Sequence, residues 1–200
     1  MIIPSKAILD WNKKSPKQKI VYNLSKTEYR PEGVGFDLRA EAFFKIKKGN
    51  SFIGKGEIRD TPIYEEIKLE DYEGRQVVKL DPNDFVIAKT SESISLPKEG
   101  IKLNIGGKVK RKILLAAVIF PRSTLFRSGL ISVTTRADPG YWGSVLVPML
   151  NVGKNSARIQ KRARIANILF LESYDYITRP YEGPWMGGII STHDFPRHVW

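Results

Sequence analysis

The sequence predicts an all-β fold, a distorted jelly roll or barrel, and two observations support this prediction. Short runs rich in β-branched residues recur along the second half of the chain, separated by glycine, proline and asparagine, a pattern typical of sandwiches and barrels and not of βαβ units. Helical periodicity is nearly absent, and the one short helical candidate lies around residues 120–126. The predicted strands are Val77–Leu80, Phe85–Ala88, Ile113–Phe120, Ile131–Thr135, Ser144–Leu150 and Ile165–Leu171.

The remaining segments follow in chain order. Residues 11–32 are polar and lysine-rich without a sustained period, so we expect an irregular lead-in. Residues 33–46 turn apolar and aromatic, whereas residues 47–75 are charged and broken by glycines, as in a surface insertion with a hairpin. Residues 183–200 hold the prolines and glycines typical of an extended, mobile arm. The single β domain is therefore expected over residues 1–182.

Composition narrows the possible function classes. A chain of 200 residues fits one domain with a real core. It contains no cysteine, which excludes disulfides and thiolate metal sites, and its two histidines, His193 and His198, argue against a buried zinc site. No stretch approaches the roughly 20 apolar residues that span a bilayer, and the N-terminus lacks a signal-peptide pattern. These features predict a cytoplasmic protein.

The charge is strongly basic. Thirty-three Lys and Arg residues stand against 21 Asp and Glu residues, giving a formal net charge of +12. Such an excess attracts polyanions, so nucleic acid and a nucleoside triphosphate are both candidate ligands. A solvated basic surface without a ligand is the third interpretation, and charge alone does not choose among them.

A candidate catalytic carboxylate lies in the segment 134–143. Asp138 begins the tight turn Asp-Pro-Gly, and Tyr141 follows three residues later. A carboxylate at a rigid hairpin tip can orient and deprotonate a water molecule, while a tyrosine ring can lie against a flat ligand. Taken alone, however, Asp-Pro-Gly is an ordinary turn tripeptide.

Two arginines and several hydroxyls follow Pro121 in the segment 121–129. Pro121 is expected in the first turn of the short helix, with free amides facing an anion. Arginine and hydroxyl groups match phosphate oxygens in charge and geometry. The alternative is a capped surface turn with solvated arginines. The candidate phosphate-binding residues are Arg122, Ser123, Thr124 and Arg127.

A third signal is Asp37, which interrupts an apolar run after two glycines in the segment 33–40. A carboxylate in such a strand either anchors a hydrogen-bond network or supports a metal ligand from behind, and the anchoring role is the favoured one.

These three segments, in this order, resemble the motifs of the dUTPase and dCTP deaminase superfamily. The resemblance is carried by Gly-Phe-Asp-Leu-Arg-Ala at 35–40, Pro-Arg-Ser-Thr-Leu at 121–125 and an Asp three residues before a Tyr at 138–141. Arg-Ile-Ala-Asn at 164–167 and the glycine-rich segment 187–192 extend it. Five ordered partial matches are more specific than any single one.

This chain departs from the family pattern at several positions. Asn167 stands where many members have glutamine, and Thr134 and Thr135 replace the usual small pair beside the pyrimidine. Ile189 occupies the place of a tail aromatic, a role that Trp185 is then expected to take.

The resemblance, which is closest to an archaeal-type dUTPase, implies a dUTPase-like β-clip fold and a homotrimer with shared active sites. Asp138 would activate the water that attacks the α-phosphorus of dUTP, and Mg²⁺ would bind through the triphosphate with no direct protein ligand. Tyr141 would pack on the deoxyribose, and the backbone around 134–137 would read the uracil edge. The implied substrate-binding residues are Arg122, Ser123, Thr124, Arg127, Thr134, Thr135, Arg136, Tyr141, Arg164, Asn167, Trp185, Gly187, Gly188 and Ser191.

One position favours hydrolysis over deamination. The resemblance implies that a deaminase needs a strand glutamate ten residues after the motif-three aspartate, and here that position is Pro148. Proline cannot move a proton, so the general acid/base contribution would be lost. Arg127 and Arg136 match the deaminase pattern, which keeps a dCTP deaminase or a bifunctional enzyme as an alternative. A non-catalytic basic nucleic-acid-binding or regulatory protein on the same scaffold is the other.

Overall fold

The computed structural model describes residues 1–26, 33–55, 59–109, 112–173 and 179–194. Its helices and strands are, in chain order, β1 (Ile2–Ile3), α1 (Ser5–Lys14), β2 (Val21–Tyr22), β3 (Phe36–Lys48), β4 (Phe52–Ile53), β5 (Arg59–Asp60), β6 (Ile63–Glu66), β7 (Glu70–Tyr72), β8 (Arg75–Leu80), β9 (Phe85–Ser95), β10 (Asn104–Ile105), β11 (Lys108–Val109), β12 (Leu114–Pro121), α2 (Ser123–Arg127), β13 (Leu130–Ile131), β14 (Thr135–Ala137), β15 (Trp142–Asn151), β16 (Ala157–Gln160), β17 (Arg164–Ser173) and a short 3₁₀ helix (Thr192–Asp194).

The main sheet is antiparallel and carries the order β13-β15-β9-β3-β17-β12-β14, with β1, β2 and β6 attached to its members. The predicted all-β class is therefore confirmed. Smaller sheets are formed by β16-β8-β7, β10-β11 and β4-β5. No helix among the described residues is long and apolar enough to cross a membrane.

Strict alternation gives the central strands one buried face. In β9, every second residue from Val86 to Ile94 is buried, and the residues between them are half exposed. This period of two directs one row of side chains into the core. The largest buried side chains there are aromatic, and the rings of Phe36 and Phe170 meet edge to face with their centroids 6.3 Å apart.

Glu92 lies on the buried face of β9 with no exposed side-chain area. Its carboxylate accepts hydrogen bonds from the backbone N–H of Arg39 at 2.7 Å and from Arg39 Nε at 2.6 Å. The guanidinium also donates from Nη2 to the carbonyl of Asn23 at 2.8 Å. A buried charge is tolerated only when it is paired and hydrogen-bonded in this way, so this pair fixes β3 against β9.

Replacing Glu92 with alanine should lower the free energy of unfolding by about 3–5 kcal/mol, because Arg39 would remain largely buried without its counter-charge. Urea unfolding followed by circular dichroism measures this change. Glu65→Ala is the matched control, since Glu65 pairs with Lys45 and Lys47 at the surface and should change stability by about 1 kcal/mol or less. Equal effects of the two substitutions would show that the buried pair contributes no more to the free energy of unfolding than a surface pair.

The expectation of an irregular lead-in over 11–32 is wrong at two places within the described residues 11–26. Helix α1 extends to Lys14, and β2 follows at Val21–Tyr22, while residues 27–32 lie outside the described residues. The helix buries Ile8 against the core, and Asn12, also buried, donates to the carbonyl of Val21 at 2.8 Å. The apolar side chains of α1 cover only about one and a half helical turns. This stretch is too short for a helical periodicity to be recognised beside a lysine-rich segment.

Two further boundaries differ from the prediction. The predicted strand Ile131–Thr135 is divided between β13, which pairs with β15, and β14, which pairs with β12. Pro121 closes β12 instead of entering the first helical turn, because α2 begins at Ser123 with Arg122 as its extended N-cap. An apolar run reveals a strand but not its partner, and here the chain changes partners in the middle of the run.

The expected insertion, residues 47–75, contains the predicted hairpin and more. Strands β4 and β5 form one hairpin, and β7 forms another with β8. Strand β6 pairs with β3 and so extends the main sheet. The stretch also touches the end of the chain, because Ser191 Oγ, which is buried, donates to the carbonyl of Pro62 at 2.8 Å.

Candidate functional site

Asp37 is the centre of a polar cluster that joins three segments of the chain. Its carboxylate accepts hydrogen bonds from Arg122 Nη1, from Arg164 Nη1 at 3.1 Å and from Asn167 Nδ2 at 3.2 Å. The sheet register places these groups together, since Asn167 on β17 lies opposite Asp37 on β3 and opposite Phe120 on β12. Asp37 thus lies at the centre of a hydrogen-bond network.

The cluster carries a net positive charge, because two guanidinium groups surround one carboxylate. The Asp37 side chain is 11% exposed, whereas those of Arg122 and Arg164 are 32% and 56% exposed. Each guanidinium has five N–H donors, so both keep donors for a further anion after binding Asp37. An orienting carboxylate behind two arginines is an arrangement suited to phosphate oxygens.

Gly35 makes the close approach of β3 and β17 possible at this cluster. A Cβ atom on Gly35 would collide with Asn167 Oδ1 and with the carbonyl oxygen of Ile168. Any larger residue would push Asn167 away from Asp37. The glycine is thus needed for packing beside the cluster.

Helix α2 presents hydroxyl groups next to the cluster. Arg122 precedes the helix, and Ser123 and Thr124 are exposed in its first turn. Arg127 is also exposed, with its guanidinium carbon 5.8 Å from the centre of the Phe126 ring in the same turn. Arg122, Ser123 and Thr124 are therefore adjacent in space as in sequence, whereas Arg127 lies at the other end of the short helix.

Asp138 lies at the turn between β14 and β15. Its carboxylate is 44% exposed, and Arg136 Nε approaches Asp138 Oδ1 at 3.4 Å from a side chain that is 79% exposed. The turn is closed by the backbone N–H of Tyr141, which donates to the carbonyl of Asp138 at 3.1 Å. The turn thus holds a solvent-accessible carboxylate beside one exposed guanidinium.

Tyr141 packs inward behind this turn. Its hydroxyl donates to the carbonyl of Ser144 at 2.7 Å, and its ring centre lies 5.8 Å from that of Tyr181. Burial, with a smaller contribution from Tyr181, raises the pKa of the Tyr141 phenol to about 12. The phenol therefore stays protonated at neutral pH and acts as a donor that stiffens the turn.

The two predicted threonines occupy different environments. Thr135 opens β14 opposite Ile119 of β12, and Thr134 precedes it as an exposed residue. Their backbone runs beside the end of β12, which leads directly to Arg122.

The Asp138 turn and the Asp37 cluster are separated within one chain. Strand β14 is antiparallel to β12, with Ala137 opposite Ala117, so Asp138 lies beyond Ala117 while Arg122 follows the other end of β12. Five residues of extended chain between 117 and 122 span roughly 17 Å. A single chain therefore does not bring Asp138 and Arg122 to one ligand atom.

The described part of the C-terminal arm, together with Tyr181 just before it, is docked on the chain's own Asp138 hairpin. The backbone N–H of Tyr181 donates to the carbonyl of Pro139 at 2.7 Å, and that of Gly187 donates to the carbonyl of Trp142 at 2.8 Å. Gly188 packs on Ser144. Residues 195–200 of the arm lie outside the described residues.

Trp185 and Ser191 both belong to this docked segment. The backbone N–H of Trp185 donates to the Tyr181 hydroxyl at 3.2 Å, and the Trp185 ring is half-buried. Ser191 is held at the insertion, where its oxygen also receives the backbone N–H of His193 at 3.2 Å and lies 3.4 Å from Thr61 Oγ1. Sequence reasoning assigned both residues to substrate but did not foresee these contacts within the chain.

Sequence reasoning also missed two residues beside the site, Glu92 and Tyr181. Glu92 shares the inward row of β9 with apolar residues, and a charge in such a row is the signal that could have found it. Tyr181 has no comparable signal, because it packs on Tyr141 through the fold and not through a local pattern.

Pro148 lies on the outward face of β15, opposite Ile87 of β9. Its neighbours on the same face are Leu146 and Leu150. On the other side of β15, β13 pairs only with residues 150 and 151, so the missing N–H of Pro148 faces no strand partner there. This stretch of β15 carries no carboxylate.

Comparison with known proteins agrees with the motif order. A family model for dCTP deaminase-like proteins matches residues 2–173. The probable deoxyuridine 5'-triphosphate nucleotidohydrolase of Methanopyrus kandleri is 26% identical over 163 residues, which cover 82% of this chain and 90% of that protein. The deoxyuridine 5'-triphosphate nucleotidohydrolase of Methanocaldococcus jannaschii is 30% identical over 155 residues, with 76% and 85% coverage.

Deaminases are among the relatives as well. The dCTP deaminase of a Sulfurovum species is 26% identical over 153 residues, which cover 76% of this chain and 71% of that protein. The crystal structure of the 2'-deoxycytidine 5'-triphosphate deaminase from Agrobacterium tumefaciens superposes with a TM-score of 0.57 at 14% identity, covering 84% of this chain and 48% of the other. That structural likeness concerns the fold alone and agrees with the predicted jelly-roll-like architecture. The chain belongs to the dCTP deaminase-like family of the dUTPase superfamily.

Proposed function

We propose that this protein is a dUTP diphosphatase that hydrolyses dUTP to dUMP and pyrophosphate. The observation that carries the proposal is the solvent-accessible carboxylate of Asp138 at a rigid turn, combined with proline at the strand position where a deaminase needs an acid. Asp138 can accept a proton from water, whereas Pro148 and its apolar neighbours cannot exchange one with a pyrimidine ring.

In the proposed reaction, Asp138 orients a water molecule and accepts its proton while the water oxygen bonds to the α-phosphorus. The bond from the α-phosphorus to its bridging oxygen breaks, and pyrophosphate leaves. Arg122 and Arg164, held from behind by Asp37, would bind the phosphate oxygens and offset the charge that builds during the displacement. Ser123, Thr124, Arg127 and Asn167 would add further donors to the same phosphates.

The nucleoside would be recognised at the Asp138 hairpin. The exposed backbone around Thr134, Thr135 and Arg136 would read the uracil edge, and the Tyr141 ring would pack on the deoxyribose and disfavour a 2'-hydroxyl. Tyr141 suits this role because its hydroxyl is already bonded to Ser144, which fixes the ring. Trp185, Gly187, Gly188 and Ser191 of the docked arm would close the pocket.

Magnesium is proposed as the cofactor, bound mainly through the triphosphate. Among the described residues, no group of three or more His, Asp and Glu side chains is placed to hold a metal ion, and the Asp37 carboxylate is occupied by three donors. Mg²⁺ needs few protein ligands when phosphates and water supply the others. When bound, it would neutralise phosphate charge in the displacement.

We further propose a homotrimer whose active sites are shared between subunits. The separation of roughly 17 Å along β12 supports this, since a neighbouring subunit can supply Asp138 to the Arg122 cluster where the same chain cannot. A solution mass near three times 22.7 kDa is expected.

Mixing two inactive variants tests the shared site. Co-assembled Asp138→Asn and Arg122→Gln subunits should recover part of the wild-type turnover, because some sites in a mixed trimer combine an intact Asp138 with an intact Arg122. Each variant alone is the control. Mixed assemblies that stay as inactive as the separate variants would place both residues' functions within one chain and contradict the sharing.

The product assay tests the activity itself. Purified protein is incubated with Mg²⁺ and with dUTP, dCTP or UTP, and the products are resolved by ion-exchange chromatography. We expect dUMP and pyrophosphate from dUTP and little ammonia from dCTP. Stoichiometric ammonia from dCTP would instead establish a deaminase, the second candidate, which Arg136 beside Asp138 and the deaminase relatives favour. A basic nucleic-acid-binding protein would show no turnover and a steep salt dependence of duplex binding.

A further inference from the structure

A continuous groove runs along the outward face of β9 and β15. Two cavities, of about 550 and 490 Å³, share Asn23, Ser93 and Ser144 in their walls. The hydroxyls of Ser93 and Ser144 lie 3.2 Å apart at the junction. The groove is not lined by Asp138, Arg122 or Asp37, and it shares with the substrate site proposed above the arm residue Gly187, at its aromatic end. It is therefore a neighbouring place and not the same one.

One end of the groove is basic. Lys89 is half-buried on β9 and pairs with no carboxylate of the described residues, and Arg162 lies beside it with a side chain that is 54% exposed. The one acid in the wall, Glu41, accepts hydrogen bonds from Lys161 Nζ at 2.8 Å and from Ser91 Oγ at 2.7 Å. This end of the groove therefore has three cations, Lys89, Lys161 and Arg162, and one carboxylate, Glu41, whose charge is already paired.

The Glu41 contacts keep this carboxylate ionised and occupied. The hydrogen bond from Lys161, followed by that from Ser91, holds the pKa of Glu41 below its ordinary value. Arg162 Nη1 lies 3.4 Å from Glu41 Oε2, a distance that restrains the guanidinium without using its donors fully. An arriving anion therefore meets Lys89 and Arg162, with hydroxyl donors next to them.

The other end of the groove is aromatic. Trp142 is 58% exposed and lines it together with Tyr22, and Gly143 and Gly187 leave the floor flat. An exposed indole ring beside a flat floor offers a stacking surface for a planar ring. Gly187 lies against one edge of the Trp142 ring, and more than half of Trp142 stays exposed to solvent.

The spacing of the two ends fits one ligand. Trp142 lies opposite Ser95 and Leu146 opposite Lys89, so the ends are four residues apart along β15, roughly 13 Å. That is the length of a nucleoside with a short phosphate chain. The pairing of β9 shifts register on both flanks here, between Ala40 and Ala42 and between Ser144 and Leu146, and bulges of this kind are over-represented next to active sites.

We propose that this groove binds a nucleoside phosphate as a second, non-catalytic ligand, with its base on Trp142 and its phosphate at Lys89 and Arg162. The hydroxyls of Ser93 and Ser144 lie between the two ends, where a sugar would be. A ligand bound there would also contact Gly187, so its binding would depend on whether the C-terminal segment is docked.

The test uses the full-length Arg122→Gln protein, in which the proposed substrate site is weakened, and isothermal titration with AMP, GMP, CMP, UMP and a short single-stranded oligonucleotide. At least one monophosphate should bind, and adenosine without a phosphate should bind more weakly than AMP. Lys89→Gln and Trp142→Leu, added singly, should each weaken binding by about tenfold, the loss of one charge-assisted or stacking contact. Lys13→Gln, an exposed lysine on α1, is the matched control and should change nothing.

Three outcomes would overturn the proposal. The first is no binding by any of the four nucleotides, and the second is binding that Lys89→Gln and Trp142→Leu leave intact. The third is binding only by an oligonucleotide, which would make the groove a nucleic-acid surface. Because dUTP turnover of the Lys89→Gln protein is measured in parallel and is expected to be unchanged, failure of the groove and failure of the proposed activity remain distinguishable.

Discussion

The substitution Asp138→Asn should reduce dUTP turnover by about a hundredfold to ten-thousandfold, the contribution of a well-placed general base. The amide keeps the shape of the side chain but cannot take a proton from water. The fold should be unaffected, because the ion pair with Arg136 is solvent-exposed and such pairs contribute little to stability. Steady-state kinetics with dUTP, together with a binding measurement using a non-hydrolysable dUTP analogue, separates the two effects.

Asp10→Asn is the matched control for this substitution, since Asp10 is a partly exposed carboxylate on α1 whose ion-pair partner, among the described residues, is Lys6 at 3.3 Å. It should leave turnover at the wild-type level. A folded Asp138→Asn protein with wild-type turnover would remove Asp138 from the mechanism, and a variant that loses analogue binding as well as turnover would make it a binding residue.

Removing residues 183–200 should give the second large effect, a folded protein that still binds nucleotide but turns it over at least about tenfold more slowly. The cut falls after Glu182, so the contacts of Tyr181 with Pro139 and Tyr141 are kept. What is lost is the bond from Gly187 to Trp142 and the anchor of Ser191 at Pro62. A segment that closes a site and excludes water contributes more to turnover than to initial binding.

A shorter truncation provides the control. Cutting after Asp194 keeps every described contact of the segment and should preserve most of the turnover. If the longer truncation is as active as the full chain, the docked segment serves packing alone, and its likeness to a family motif is a coincidence of glycines. If both truncations are inactive, residues 195–200 carry the effect instead.

The sequence predicted the fold class and the location of five of the six named strands, because both depend on local alternation, although Phe85–Ala88 is only the first part of β9. The strand prediction at Ile113–Phe120 holds to within one residue, since its period of two reflects one buried face. Asp37 could also be predicted as an anchor, because a carboxylate in an apolar strand needs partners. Helix α1 could not, because its stability comes from burial of Ile8 and from Asn12 bonding across to Val21.

Other features of the site depend on contacts that leave no trace in local sequence. The docked arm is held by backbone bonds such as that from Gly187 to Trp142, and backbone groups are the same in every residue. The separation of Asp138 from Arg122 follows from the register of β14 on β12, which an apolar run does not specify. Motif order identifies residues that act together, but it does not say whether they belong to one chain.

The contact between Gly143 and Gly187 has an evolutionary consequence. A Cβ atom on Gly143 would overlap the backbone of Gly187, and Gly143 has φ +135° while Gly187 has φ +76°, so neither position accepts another residue without strain. The two sites are 44 residues apart (187 − 143), yet a side chain at Gly143 is excluded as long as the backbone of Gly187 lies against it. In related sequences, we expect a side chain at the position of Gly143 to occur only where the arm has a different course, which makes this pair a sequence marker for the docked arrangement.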